Sequence, residues 1–319
     1  MIQGLEKGRQ AERQMLERLI EADLRERRKA RWAKNLFRLF LALYLVSLLL
    51  VWAADRGREL DPVSHSGGHT ALVEITGPIM PDGDFSADKV IEGLQKAFKD
   101  PDTKGVILLI NSPGGSPVQA GQIHDEMLRL RKKHEKIPLY AVVEDLCASG
   151  GYYVAAAAQE ILVDKGSLIG SIGVIMQGFG VKELLAEWGV ESRTITAGRN
   201  KAFLDPFQDV KPEEKAHAQK LLTTIHEQFI AAVKQGRGPR LRLDQGTELF
   251  SGLIWTGQEA VALGLVDGLG SARSTAREIF KTEKLEEFTS KKDWMERFAD
   301  RLSTTLAQSL AASIVPELR

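Results

Sequence analysis

The sequence predicts an α/β fold built on a largely parallel sheet. From His69 onward, strand-length apolar runs alternate with amphipathic runs of helix length. Two of the strand runs, KGVILLIN (104–111) and IPLYAVVE (137–144), are apolar almost throughout, as strands covered on both faces are. Both lead into glycine-bearing turns, NSPGG and CASGG. Crossovers in such a sheet are right-handed, and functional residues gather in loops beyond the strand C-termini.

The elements follow in order. TALVEITGPI (70–79) is a strand stopped by Gly77-Pro78, with Leu72, Val73 and Ile75 as its apolar residues. SADKVIEGLQKAFKD is a helix capped by Ser86, with Val90, Ile91, Leu94 and Phe98 on one face. After the strand 104–111, VQAGQIHDEMLRLRKKHEK is a second amphipathic helix, followed by the strand 137–144. SGGYYVAAAAQ (149–159) reads as a helix, and EILVDKGSLIGSIGVIM as two short strands around glycine turns. GVKELLAEWGV is a helix, and ESRTITAG (191–198) a strand. A long helix opens at Pro212 and ends near Gly236-Arg237-Gly238.

The region before His69 differs. Residues 1–35 are rich in Arg and Lys with acidic residues interleaved, and read as a solvated basic helix, a short coiled coil or a helix on anionic lipid. Residues 36–54, LFRLFLALYLVSLLLVWAA, are long enough to span a bilayer, with Trp32 and Trp52 near the two ends. A cleaved signal peptide fits less well, because the basic region before the apolar core is too long. The excess of positive charge before this segment puts the N-terminus in the cytoplasm and the remainder outside. In a bacterium that is an inner-membrane protein with a periplasmic or extracytoplasmic domain. Residues 55–68 read as a tether, 69–285 as the folded domain, and 286–319 as a helical extension with Trp294, Phe298, Leu302 and Leu306 at helical spacing.

Composition excludes several functions. The 319 residues carry 43 basic and 43 acidic side chains, so there is no global basic field for nucleic acid. The single cysteine, Cys147, rules out an internal disulfide and a multi-cysteine zinc site. No metal-ligand spacing is present, and neither a metal nor another cofactor is expected.

Two turns can carry chemistry. In NSPGG, Pro113 fixes the backbone, and Gly114 and Gly115 permit conformations that leave N–H groups free for a ligand oxygen. In CASGG, Ser149 stands between a strand and a helix, where helix N–H groups favour developing negative charge. It reads either as a nucleophile or as an N-cap. A nucleophile needs a base, and no histidine stands on a loop after a strand; His124, beyond NSPGG, is the only one worth keeping. A lysine can serve if desolvation lowers its pKa from about 10.4. Lys201, in ITAGRNKAFLDPF, follows the predicted strand and precedes Ala202-Phe203-Leu204; a solvated loop lysine is the competing reading.

INSPGG, CASGGYY, GSLIGSIGV and TAGRNKAFLDPF, in this order, resemble the signal peptide peptidase A family, and so does SGLIWTGQEAVALGLVDGLG near the end of the domain. The resemblance runs from about His69 to Phe280 and fits the short, single-copy form. It implies a Clp-protease/crotonase-like spiral of ββα units behind one transmembrane helix, and a serine protease with a Ser–Lys dyad. It makes Ser149 the nucleophile, Lys201 the general base and Ser171 the serine that orients the lysine. Gly114 or Gly115, with Gly150, would form the oxyanion hole. It also implies a homo-oligomeric ring in which the lysine can reach a neighbour's serine, and apolar peptide substrates such as leftover signal peptides. Cys147 stands where the family usually has a smaller residue, and reads as a packed side chain. The rival readings are a related Ser–Lys membrane protease acting on membrane or misfolded exported proteins, a silent membrane-anchored scaffold, and a crotonase acting on a CoA thioester.

Overall fold

The computed structural model describes residues 32, 34–49, 68–243 and 248–290. The chain divides into two units, Met1–His65 and Ser66–Arg319. In the first, residues 34–49 are helical with exposed side chains. Among the described residues no helix is long and apolar enough to cross a membrane. The basic segment before Trp32, the end of the apolar segment (50–54), nearly all of the tether and residues 291–319 lie outside the described residues.

The second unit is α/β, as the alternation predicts. It carries β1 (His69–Thr76), β2 (Thr103–Ser112), β3 (Leu139–Ala148), β4 (Glu160–Val163), β5 (Leu168–Gly170), β6 (Ile254–Thr256), β7 (Gly268–Leu269) and β8 (Leu285–Glu287). Its main helices are α1 (Ala87–Lys99), α2 (Pro117–Lys133), α3 (Gly150–Ala155), α4 (Lys182–Glu187), α5 (Pro212–Arg237) and α6 (Gly257–Ala262). The sheet runs β6-β5-β3-β2-β1-β8, with β4 on β3 and β7 on β4. Every pairing is parallel except β5–β6.

The apolar runs of β2 and β3 are buried because both faces are covered. Val106, Leu108 and Ile110 face the large core under α1 and α2, with Val90, Leu94, Ile123 and Met127. Ile107 and Val142 join Leu162 and Phe280 on the other face. This packing supplies most of the favourable free energy of such a domain.

One irregularity places the functional residues. Ile110 pairs with Val143 but Ser112 pairs with Cys147, so β3 advances four residues while β2 advances two. The extra residues carry the exposed Glu144 and Asp145. Before this bulge β3 pairs with β4, and after it with β5. The bulge therefore hands β3 to a second partner just before Ser149.

Two expectations are corrected. Residues 191–196 form no strand; they run as exposed irregular chain. The helix expected over 149–159 ends at Ala155. The alanines that follow are fully buried, and Gly236 packs so tightly on the Ala156 carbonyl that an added Cβ would clash with it.

Candidate active site

Ser149 follows β3 and opens α3 with φ 51° and ψ −121°. A non-glycine residue at positive φ is strained, at a cost of about 1–3 kcal/mol, and persists only where its surroundings over-determine it. Here its N–H donates to the Gly170 carbonyl at 2.9 Å, and its own carbonyl accepts from the Tyr153 N–H at 2.9 Å. Its hydroxyl makes no capping bond, so Ser149 does not serve as a side-chain cap. The Oγ is left free at a helix N-terminus.

The NSPGG turn lies against it. Ser112 donates its hydroxyl to the Gly77 carbonyl at 2.7 Å and accepts from the Gly114 N–H at 3.1 Å. Ile79 pins the turn from the other side, donating to the Gly114 carbonyl and accepting from the Ser116 N–H, each at 2.9 Å. Gly114 has φ 96° and Gly115 φ 151°. A Cβ on Gly114 would stand 2.6 Å from the Gly150 nitrogen and 2.8 Å from the Ser149 Cβ. A Cβ on Gly150 would stand 3.2 Å from the Gly115 nitrogen. Glycine is thus required where the two backbones meet. Among the described residues, neither the Gly115 nor the Gly150 N–H has a protein acceptor. Two free amides beside a free serine hydroxyl are the components of an oxyanion site.

A cavity of about 140 Å³ adjoins them, lined by Ser149, Gly115, Gly150, Tyr153, Val174 and Phe229 among others. Tyr153 and Phe229 contact at 4.9 Å between centroids. Behind them His124 is buried, edge-on to Tyr153 at 5.2 Å, with Nδ1 3.1 Å from Asp125 Oδ1. It supports a wall and does not line the cavity.

Ser171 has φ 50°, a second strained serine, and its N–H donates to the Leu253 carbonyl at 2.7 Å. The structure brings Ser149, Gly114, Gly115 and Gly150 together, with the Ser171 turn held to Ser149 through Gly170. Lys201 is placed differently from its expected setting. It lies in an exposed turn with no strand before it, and it does not line the cavity. Two residues on, Phe203 packs edge-on against His217 of α5 at 5.5 Å.

Cys147 is fully buried, and burial pushes its thiol well above the usual range. It stays protonated and packed, with no nucleophilic character. Sequence reasoning missed Ser112, which braces the glycine turn, and Arg237. Ser112 carried a weak signal in NSPGG, whereas Arg237 carried none. Arg237 is 1% exposed and binds Asp267 through Nη1–Oδ2 at 2.6 Å and Nη2–Oδ1 at 2.9 Å. Burial opposes ionisation of Asp267, but the Arg237 hydrogen bonds and charge outweigh it and hold the carboxyl below its ordinary range. No group of residues able to hold a metal ion occurs among the described residues.

A strained serine after a parallel strand, with its hydroxyl free beside two unpaired amides, has the components that a serine hydrolase of α/β architecture uses. The model of peptidase family S49 matches residues 131–286, which include Ser149, Ser171 and Lys201. The chain is 32% identical over 254 residues to the Methanocaldococcus jannaschii protein named "Putative protease MJ0651", covering 76% of this chain and 79% of that one. It is 33% identical over 205 residues to the Enterococcus faecium "Putative signal peptide peptidase SppA", covering 64% and 58%. It is also 46% identical over 187 residues to a Brucella abortus protein named Na(+)/H(+) antiporter NhaA, covering 59% of this chain. The chain spans a quarter of the length of that Brucella relative (25%). The chain belongs to peptidase family S49, the signal peptide peptidase A family.

Proposed function

We propose that the chain is a serine endopeptidase with Ser149 as nucleophile and Lys201 as general base. One observation carries the reading: Ser149 is held in a strained conformation with its hydroxyl free, against two glycine amides without acceptors. Gly115 and Gly150 form the oxyanion hole, with Gly114 shaping the turn. Lys201 comes from a neighbouring copy in a homo-oligomeric ring, because in its own chain it is exposed and away from the cavity. Docking against that neighbour removes the water that favours the ammonium form. Ser171 orients the incoming amine.

The neutral Lys201 amine takes the Ser149 Oγ proton as Oγ bonds to the peptide carbonyl carbon. The carbonyl oxygen becomes an oxyanion held by the two N–H groups. Collapse breaks the C–N bond, and Lys201 returns the proton to the leaving amine. Water then gives a proton to the same lysine as it attacks the acyl-enzyme; collapse breaks the ester C–O bond, releases the acid, and Lys201 returns the proton to Ser149 Oγ.

The cavity is of side-chain size and lined in larger part by apolar atoms, which suits apolar peptide segments and supports leftover signal peptides as substrates. The wider reading is a Clp-protease/crotonase-like spiral anchored by residues 36–54, with the catalytic domain outside the cytoplasm. The Brucella antiporter name adds no transport reading, since only a quarter of that protein aligns.

The test uses the full chain and a fluorogenic peptide with an apolar residue before the scissile bond. Ser149→Ala and Lys201→Ala each reduce turnover by roughly 10⁴-fold or more. Mixing the two variants, dissociated and reassembled together, restores measurable turnover at hybrid sites. Full activity in either variant sinks the dyad, and an inert mixture sinks the shared site. An inert wild type supports the scaffold reading instead.

A further inference from the structure

At the end of β5, three successive residues are each held by a different element. The Gly170 carbonyl accepts from Ser149, the Ser171 N–H donates to Leu253, and the Ile172 carbonyl lies 3.0 Å from Nε2 of His226 on α5. The first two are backbone bonds, independent of side-chain identity. The third depends on one side chain. A carbonyl oxygen only accepts, so Nε2 carries a proton, and the neutral imidazole suffices.

We propose that His226 is a positioning residue for the hydrolysis described above. By holding Ile172 it fixes Ser171 in its left-handed conformation and sets the cavity wall at Gly173 and Val174. The inference rests on the protease reading.

Three observations carry it. Ile172 is fully buried between Ser171, at φ 50°, and Gly173, which lines the Ser149 cavity. Such strain survives only where the neighbours leave no alternative. Next, His226 lies beside Ile225, Gln228 and Phe229 of α5, which also line the cavity. The His226–Ile172 bond therefore ties together two segments that line a cavity of only about 140 Å³. Finally, nothing downstream can substitute. Beyond Ile172 the next hydrogen bond along the described chain is from the Val181 N–H to the Pro206 carbonyl. Between them Ile175 is 78% and Phe179 84% exposed.

The test measures turnover per active site in the full chain, with sites counted by a fluorophosphonate that phosphonylates the serine nucleophile. His226→Leu keeps the volume and removes the donor. It lowers kcat per titrated site about ten-fold and raises KM. His226→Gln places an amide N–H close to the position of Nε2–H and recovers kcat to within about three-fold of wild type. A merely structural role would reduce the number of titrated sites and leave turnover per site unchanged. If the leucine variant matches wild type per site, or glutamine is as impaired as leucine, the proposal is overturned while the protease reading stands. A wild type that neither reacts with the phosphonate nor cleaves peptide overturns both.

Discussion

Ser149 sits among buried, hydrogen-bonded groups, whereas Lys201 follows an arm, residues 174–200, whose side chains are nearly all exposed. On the serine side every strained backbone has a named restraint: Gly170 and Tyr153 for Ser149, Ile79 and Ser112 for the glycine turn, Leu253 for Ser171. On the lysine side α4 buries no residue at all. Phe179, Trp188 and Ile195 are 84%, 79% and 96% exposed, which is unusual for large apolar side chains on a free surface. One half of the proposed site lies within a chain, and the other, around Lys201, follows an arm that exposes large apolar side chains. The difference can be attacked from either side.

The largest expected effect is on the frame of the serine side. Arg237, at the end of α5, clamps Asp267, which also accepts from the Ile161 N–H of β4 at 2.7 Å and from Arg240 at 3.0 Å. Nearby, the Tyr152 hydroxyl of α3 donates to the Leu265 carbonyl at 2.6 Å. Removing one partner of a buried pair strands the other, and Arg237→Met is expected to cost about 3–5 kcal/mol in denaturant unfolding. The sign with pH follows from Asp267. Its carboxyl is held below the ordinary range when folded, so its contribution is complete above the unfolded value, about 4, and disappears as pH falls through the folded value. The gap between wild type and Arg237→Met should therefore be full at neutral pH and narrow in acid. A gap independent of pH would remove Asp267 from the account.

A smaller effect is expected at the turn. Gly114→Ala puts a methyl where 2.6 Å separates it from the Gly150 nitrogen, on a backbone at φ 96°. The turn must move, and the proposed oxyanion donors move with it. Turnover should fall by roughly 10²-fold while fluorophosphonate labelling slows in parallel. Unchanged turnover would mean that the turn is not part of the site.

The two halves also differed in legibility. The regular frame was readable because β1, α1, β2 and α2 repeat with the right periods against a common core. Reading β3 stopped at Glu144 because the bulge residues Glu144 and Asp145 face solvent, yet the strand continues to Ala148. The strands β6, β7 and β8 are two or three residues long, too short to leave a pattern. ESRTITAG carries three β-branched residues in a row, Thr194-Ile195-Thr196, but no partner strand among the described residues, and propensity without a partner makes no sheet. The glycines of the site were legible as residue types. The left-handed φ of Ser149 and Ser171 was not, since neither residue type signals it. Arg237 and Asp267, thirty positions apart, meet only through the fold.

The smallest expected effect on folding lies in the arm, where it separates the two regions most sharply. Trp188 and Ile195 touch little in one chain, so Trp188→Ser and Ile195→Ser should change unfolding free energy by no more than about 0.5 kcal/mol. If the arm docks on a neighbouring copy, each substitution removes apolar area from that contact, at about 25 cal/mol per Å². Sedimentation velocity should then show a shift toward smaller species, with turnover falling at low protein concentration and recovering at high concentration. That recovery distinguishes a weakened interface from a damaged site, because Ser149, Gly115 and Gly150 belong to the self-contained half and do not depend on concentration. Unchanged assembly together with unchanged turnover would mean that the arm is not an interface, and Lys201 would have to approach Ser149 within its own chain.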